Sequence, residues 1–263
     1  MTPEDIIFFG SWFEDYAHRF CSDDAEVEAN LRYKKEHSYR VRDYILTIGQ
    51  DLQLDMTQML LAEVIGLFHD VGRFEQYTKY RTFKDYLSED HAELGLAVLN
   101  SHKILNDRCD SLEKEIIYAA IKNHNRRIIQ EHISGKTLMF CKLIRDADKL
   151  DIFDQIISFY ENPELTPYLA VESNHENKSY TQEIIQGILN GEQISYSSVK
   201  TPVDIKLTRL AWLLDLSYRK SLEIAQRKRY LARLKVFIPD TPDTLKVFRY
   251  VAEQMTGLSK KEV

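Results

Sequence analysis

The stretch Gly66-Leu67-Phe68-His69-Asp70-Val71-Gly72-Arg73 decides how this chain folds. It closes a helix predicted to begin after Asp55, because Met59, Leu60 and Val64 continue into it at helical spacing. The apolar face of that helix is expected to be buried. An ionisable His-Asp pair at its end costs several kcal/mol unless it is paired or bound to a metal. The stretch therefore predicts a polar centre inside the protein.

Composition places that helix in an all-α fold. The chain has 263 residues, of which 44% are hydrophobic and 29% charged, with only 9 glycines and 6 prolines. All-β chains need many tight turns rich in glycine and proline, so their scarcity predicts long helices. The net charge of -6 gives no general attraction to nucleic acid or anionic lipid, and we expect no specific nucleic-acid binding.

The ends and the cysteines predict a cytoplasmic protein. The N-terminus, MTPEDIIFFG, lacks a basic segment ahead of an apolar one, and no run of 18 apolar residues occurs, so neither a secretory signal nor a membrane span is expected. Cys21, Cys109 and Cys141 form no CxxC pair and are typical of reduced thiols. The sequence leaves the oligomeric state open.

Periodicity and capping residues divide the chain into helices. Arg73–Asp90 lacks a clean period and is predicted as a long ordered loop, and Glu161–Lys178 is predicted as a connection. The predicted helices are Thr2–Tyr16, from after Asp24 to about Ile48, from after Asp55 to a stop at Gly72, His91–Leu105, Ser111–Arg126, Thr137–Tyr160, Gln182–Leu189, Asp204–Asp215, Tyr218–Val236 and Thr244–Gln254.

Histidines and acids recur along these helices at intervals of about one helix plus a turn. Taken singly, each residue has a plainer interpretation, such as a core histidine, or an acid at 148 paired with Lys149 or Arg145. Together they predict a centre in the interior of a bundle, with ligands that come from different helices. Imidazole and carboxylate ligands suit Mn, Fe, Co, Ni, Zn or Mg rather than a thiolate site. The set is His37, His69, Asp70, His91, His124 and Asp148.

Three stretches resemble the HD-domain superfamily of metal-dependent phosphohydrolases. They are Glu36-His37-Ser38-Tyr39-Arg40-Val41, Gly66 to Arg73, and Arg145-Asp146-Ala147-Asp148-Lys149-Leu150-Asp151. The resemblance implies a helical bundle over about 31–160, with one metal on His37, His69, Asp70 and Asp148. It favours Asp148 over Asp146 and Asp151. A helical extension over about 179–257 has no such match, and the whole of 1–263 is predicted to form a single all-helical domain.

His91 and His124 extend the resemblance. In members with two metals, histidines between the His-Asp pair and the last Asp bind the second ion, which makes these two candidates for a second site. Ser88 to Gly95 is similar to the His-x-x-x-Gly stretch of HD-GYP phosphodiesterases. No Gly-Tyr-Pro signature follows His124, so the resemblance does not imply cyclic-di-GMP hydrolysis.

The resemblance also suggests roles. Asp70 would ligate metal and orient the attacking water, and His91 or His124 would be a second-metal ligand, a phosphate donor, a general acid or a structural histidine. Arg73 would clamp phosphate or form a salt bridge with Glu75 or Asp85. Further basic residues would line the mouth of the site or simply be solvated. They are Lys79, Arg81 and Arg126.

The sequence thus predicts a phosphohydrolase that uses one or two divalent ions. Its substrate would be a small phosphorylated compound, such as a nucleotide or another phosphoester. Two alternatives stay open at this point: a non-hydrolytic di-iron oxygenase on the same scaffold, and a ligand-sensing module with little activity.

Overall fold

The computed structural model describes residues 1–162 and 179–258. Within these ranges the regular elements are helices and no strand occurs, which confirms the predicted all-α fold. The same residues include no helix that is both long and apolar enough to cross a bilayer. The chain divides into two compact units, Met1–Asp151 and Ile152–Val263, which we describe separately. The prediction of one domain over 1–263 stays a prediction.

The helices follow the chain in a simple order. Short 3-10 turns lie at Asp85–Leu87, Tyr196–Ser198 and Trp212–Asp215. Helix α7 begins in the first unit and ends in the second. The bounds are α1 Pro3–His18, α2 Ala25–Asp51, α3 Met56–Phe68, α4 Arg73–Tyr80, α5 His91–Ser101, α6 Ser111–His124, α7 Gly135–Glu161, α8 Gln182–Leu189, α9 Pro202–Ala211, α10 Arg219–Arg227, α11 Tyr230–Lys235 and α12 Pro242–Leu258.

Aspartates cap four helices of the first unit, α2, α3, α5 and α6. The Asp24 carboxylate accepts from the backbone N–H groups of Glu26 and Val27 at the start of α2. Asp55 accepts from the Gln58 N–H at 2.8 Å and starts α3. Asp110 caps α6 in the same way, so the cap lies one residue before the predicted Ser111. Each carboxylate satisfies a backbone donor that the first helical turn leaves unpaired.

Close packing of α1, α2 and α3 fixes the part of the bundle that carries the first candidate ligands. Phe9 and Phe68 meet edge to face with ring centroids 5.7 Å apart, which joins α1 to the end of α3. A Cβ on Gly66 would lie 2.8 Å from the Cα of Arg42, so the missing side chain permits the close crossing of α2 and α3. The crossing brings the end of α3 to the middle of α2.

The prediction of a loop over Arg73–Asp90 is wrong for the first half of this stretch, which forms α4. A 3-10 turn follows at Asp85–Leu87. Phe74 and Tyr77 are buried one turn apart on the inner face of α4. Eight residues are too few to show a clear helical period, which explains the error. The helix ends where Arg81 adopts a left-handed conformation, with φ 54°.

Two predicted helices of the second unit differ from the structure. Tyr218–Val236 is two helices, α10 and α11, because Arg229 between them has a left-handed φ of 58°. The helix predicted over Asp204–Asp215 begins at Pro202 and continues as a 3-10 turn from Trp212. Most of the predicted connection Glu161–Lys178, from 163 onward, lies outside the described residues.

Partly buried contacts join helices of the second unit. The Asp154 carboxylate accepts from the Lys228 ammonium at 2.6 Å and from the Tyr230 hydroxyl at 2.7 Å. The Tyr230 ring stacks on Phe153 with centroids 5.1 Å apart. These contacts join the end of α7 to α10 and α11.

Candidate metal centre

The candidate ligands come from α2, α5, α6, α7 and the turn after α3, and they meet in the interior of the first unit. His37 lies in the middle of α2, and His69 and Asp70 form the turn that follows α3. The remaining three are the first residue of α5, His91, the last residue of α6, His124, and Asp148 in α7. The four histidines and Asp70 are buried, and the Asp148 side chain is 16% exposed.

One group of ligand atoms surrounds His37. Its Nε2 lies 3.3 Å from His69 Nε2, 3.4 Å from Asp70 Oδ2 and 3.1 Å from Asp148 Oδ1. His69 Nε2 lies 3.8 Å from the same two carboxylate oxygens. We call these four residues the first group.

A second group lies on the other side of the Asp70 carboxylate. His91 Nε2 is 2.9 Å from His124 Nε2 and 3.2 Å from Asp70 Oδ1. His124 Nε2 is 3.6 Å from that oxygen. Asp70 therefore faces one pair of imidazoles with Oδ2 and the other pair with Oδ1.

Each of the four imidazoles is oriented through its other nitrogen. The Nδ1 atoms of His69 and His124 donate to the carbonyl oxygens of Gly66 at 2.8 Å and Ile121 at 2.6 Å, each three residues earlier in the chain. His37 Nδ1 donates to Asp151 at 2.7 Å, and His91 Nδ1 to Asp85 at 2.8 Å. With a single proton, on Nδ1, each neutral imidazole presents the lone pair of its Nε2 to the centre, as a metal ligand must.

Burial and charge set the protonation states around the first group. Burial lowers the pKa of His69 to about 3, which keeps its imidazole neutral. Burial also opposes a charge on His37, but hydrogen bonds with Asp148, Asp151 and Asp70 outweigh it and raise its pKa to about 10. Burial disfavours the Asp70 carboxylate, yet the charges of Lys34 and Arg73 hold its pKa well below the usual range.

These residues fit a divalent cation. Two facing imidazole lone pairs repel each other at 3.3 Å or 2.9 Å unless a cation or a proton lies between them. Ligand atoms about 2.1 Å from one ion lie about 3.0 Å apart at right angles and about 3.4 Å apart at tetrahedral angles. The separations of 2.9–3.8 Å within both groups span these values. A His–carboxylate set suits Mn, Fe, Co, Ni or Zn.

Two carboxylates support the histidines from behind, and sequence reasoning gave neither of them this role. Asp151 binds His37 and also accepts from Arg40 Nε at 2.6 Å. Asp85 binds His91 and accepts from Arg73 Nη1 at 3.1 Å. Such partners fix the tautomer and raise the basicity of a ligating imidazole. The acidic spacing in the third motif was visible, but nothing local marks Asp151 as a partner of a residue 114 positions away.

Gly72 allows the two groups to come together. A Cβ at this position would lie 2.2 Å from the His91 carbonyl oxygen and 2.5 Å from the Gly95 nitrogen. The start of α5 therefore rests directly on the backbone after Asp70. The sequence predicted that Gly72 ends a helix, whereas α3 already ends at Phe68 and Gly72 serves this close approach.

The basic residues predicted around the mouth have acidic partners. Arg73 contacts Asp70 and Asp85, so the Asp85 salt bridge considered from sequence is present. The others are exposed or half-exposed and pair as follows: Lys79 with Glu89, Arg81 with Asp24 and Arg126 with Glu93. Their role in substrate binding stays a prediction.

Lys34 is a cation of the centre that the sequence did not reveal. Its Nζ donates to Asp70 Oδ2 at 2.9 Å, and the residue is 8% exposed. It precedes His37 by one helical turn, so the two side chains share a face of α2. The three-residue spacing between Lys34 and His37 is visible in the sequence. However, α2 contains many charged residues, so nothing in the sequence marks this lysine as buried.

A helical bundle in which buried histidines converge on a shared carboxylate defines a class of metal-binding helical proteins. Residues 35–156, which include all six candidate ligands, match the family model described as HD domain. This match confirms the resemblance to the HD-domain superfamily, most of whose members are metal-dependent hydrolases. The likeness of Ser88–Gly95 to HD-GYP phosphodiesterases stays a prediction. No curated protein and no solved structure matches the chain.

Proposed function

We propose that this chain is a metal-dependent phosphohydrolase that acts on a small phosphorylated compound, a nucleotide or another phosphoester. The observation that carries the proposal is the position of Asp70 between two pairs of imidazoles, each of which presents Nε2 to it. Metal-assisted phosphoryl transfer commonly uses ions that share such a carboxylate. The match of residues 35–156 to the HD-domain family model supports the same class of reaction.

Two ions would be held by the two groups. His37, His69, Asp70 and Asp148 would hold the first, and Asp70, His91 and His124 the second. A bound divalent ion lowers the pKa of water and polarises a phosphoryl oxygen.

The chain's own residues would do the positioning. Asp70 would orient the attacking water through a carboxylate oxygen. His91 and His124 suit a ligand role better than a general-acid role, because the Nδ1 of each faces an acceptor and the Nε2 of each, when unprotonated, can bind an ion. Arg73 holds Asp70 and Asp85, and its Nε and Nη1 atoms are both engaged. This arrangement favours a supporting role for Arg73.

The test is phosphate release from a panel of nucleotides, sugar phosphates and a chromogenic phosphoester. Protein stripped with EDTA would be reloaded with Mn, Fe, Co, Ni, Zn or Mg. Asp70→Asn keeps the shape of the side chain but removes its charge, and Asp43→Asn is the matched change at an exposed aspartate of α2. We expect metal-dependent turnover that Asp43→Asn retains and Asp70→Asn loses. Folded protein that releases no phosphate with any metal would refute the proposal for these substrates.

The shared carboxylate also favours one second candidate, a di-iron oxygenase. Two iron ions, one beside each oxygen of the Asp70 carboxylate, would be close enough to act together on oxygen. Iron-loaded protein that consumes oxygen with an organic substrate, and releases no phosphate, would establish this reading instead. Protein that binds metal and substrate but turns over neither would be a ligand-sensing module.

A further inference from the structure

The Lys34 ammonium is buried beside the metal centre with more donors than the protein uses. Its Nζ lies 2.9 Å from Asp70 Oδ2, and the lysine is 8% exposed. An ammonium has three N–H donors. Across residues 1–162 and 179–258, Asp70 is the one hydrogen-bond acceptor that Lys34 contacts. Its other near neighbours are aromatic rings, Phe83 with its centroid at 5.3 Å and Tyr33 at 6.0 Å.

Unused donors on a buried cation are costly, because the group has lost water without gaining acceptors. The cost is recovered when a ligand supplies the acceptors. The rings of Phe83 and Tyr33 offer a favourable face to the charge but accept no strong hydrogen bond. An oxygen-rich anion would supply both strong acceptors and the opposite charge.

The position of Asp70 Oδ2 places that anion at the first group. The same oxygen that binds Lys34 lies 3.4 Å from His37 Nε2, so a ligand on an ion held there would lie beside the ammonium. Arg73, a cation predicted from sequence, contacts the other oxygen of Asp70, with its Nε 3.3 Å from Oδ1. Arg73 Nη1 already has three acceptors, the Gln76 side chain at 2.7 Å, the Phe83 carbonyl at 2.6 Å and Asp85 at 3.1 Å.

We propose that Lys34 is the phosphate-binding cation of this site, keeping one N–H on Asp70 and donating the others to phosphoryl oxygens of the substrate. The proposal rests on the proposed phosphohydrolase function. A lysine suits the task because it acts as a compact charge that can donate in several directions at once. Phosphoryl charge would then be neutralised from the α2 side of the centre.

The neighbouring lysine provides a matched control. Lys35 is more exposed and pairs with Glu14 at 3.1 Å on the outside of the bundle. Lys34→Met, Lys34→Arg and Lys35→Met would be loaded with Mn²⁺, and binding of inorganic phosphate would be measured by calorimetry. KM and kcat would be measured in parallel with the best substrate of the panel. Mn²⁺ stoichiometry and thermal unfolding would report on the site and the fold.

We expect Lys34→Met to weaken phosphate binding and raise KM by about 10- to 100-fold, the usual effect of losing a charge-assisted hydrogen bond. Mn²⁺ stoichiometry would stay at the wild-type value. Lys34→Arg would recover part of the affinity, and Lys35→Met would match wild type. If Lys34→Met does not fold, Lys34→Gln, which keeps a donor for Asp70, takes its place.

Three outcomes overturn the inference in distinguishable ways. Active wild type with a folded, Mn²⁺-loaded Lys34→Met that binds phosphate equally well would refute the role of Lys34 alone. A loss of Mn²⁺ that fully accounts for the lost phosphate affinity would show that Lys34 serves only to hold Asp70. Wild-type protein that neither binds phosphate nor releases it would overturn the proposed function and this inference with it.

Discussion

Replacing Gly72 with alanine tests whether the start of α5 must rest on the backbone after Asp70. The added Cβ would lie 2.2 Å from the His91 carbonyl oxygen, whereas real Cβ contacts essentially never fall below 3.0 Å. The start of α5 must then recede by at least 3.0 − 2.2 = 0.8 Å. Both nearest atoms belong to the backbone, so no side-chain rotation relieves the overlap.

The displacement acts directly on the second group, because His91 is the first residue of α5. Its Nε2 now lies 3.2 Å from Asp70 Oδ1. Misplacing a catalytic group by about 1 Å can lower activity about 100-fold. Overpacking of this kind costs about 1–3 kcal/mol of stability. At about 2–4 °C per kcal/mol for a chain of this size, Tm should fall by roughly 2–12 °C.

The assay compares metal content, Tm and turnover of Gly72→Ala with those of Gly10→Ala. A Cβ on Gly10 meets no atom within 4 Å, and Gly10 lies inside α1, so that control should be as stable as wild type or slightly more so. We expect Gly72→Ala to lose metal from the second group before the first. Native Tm, metal content and turnover in Gly72→Ala would refute the reasoning.

Three further predictions concern the aspartate that orients His37, the bound metal, and a buried aspartate of the second unit. Asp151→Asn should weaken metal binding about 10- to 100-fold, because His37 loses the carboxylate that fixes its tautomer; equal metal Kd values for Asp151→Asn and wild type would contradict this. Removing metal with EDTA should destabilise the fold by about 2.7 kcal/mol relative to metal at 100 times its Kd, and a Tm that ignores metal concentration would count against a bound ion. Asp204 accepts from the backbone N–H groups of Thr181, Lys200 and Thr201 and from the Thr181 hydroxyl. Although burial opposes it, these bonds lower the pKa of Asp204. Its stabilisation is therefore complete above the unfolded pKa of about 3.9 and is lost as pH falls through the lower folded pKa. Asp204→Asn should cost about 1–3 kcal/mol at pH 7 and flatten urea-unfolding stability below pH 4; a variant with the wild-type pH profile would exclude this role for Asp204.

Helical periodicity and capping residues predicted most of the fold. Gln182–Leu189 has the predicted bounds, and α1, α2 and α3 begin at the predicted caps. The errors fall where helices are short or end without a glycine. Helix α4 spans too few residues for a period, and the left-handed Arg229 that divides α10 from α11 carries no sequence signal, because such a conformation usually favours glycine.

The sequence likewise predicted only part of the candidate site. The order of His37, His69, Asp70 and Asp148 was readable because family motifs are local in sequence. Their supporting partners were not readable, because each contact joins distant positions. Lys34 meets Asp70 across 36 residues, and His37 meets Asp151 across 114. Only the packing of α2 against the other helices brings these charges together.

The four imidazoles are oriented by two kinds of hydrogen-bond acceptor, and mutation can change only one of these kinds. His69 and His124 donate to main-chain carbonyls of their own helices, and no single amino-acid change deletes a carbonyl. The other histidine of each pair depends on a carboxylate, Asp151 or Asp85, which one codon change can neutralise or shorten. Each pair therefore contains one histidine that is oriented by a main-chain carbonyl and one that is oriented by an aspartate open to mutation. Selection, or a protein engineer, can alter the metal affinity of either group separately through its own aspartate while every ligand stays in place.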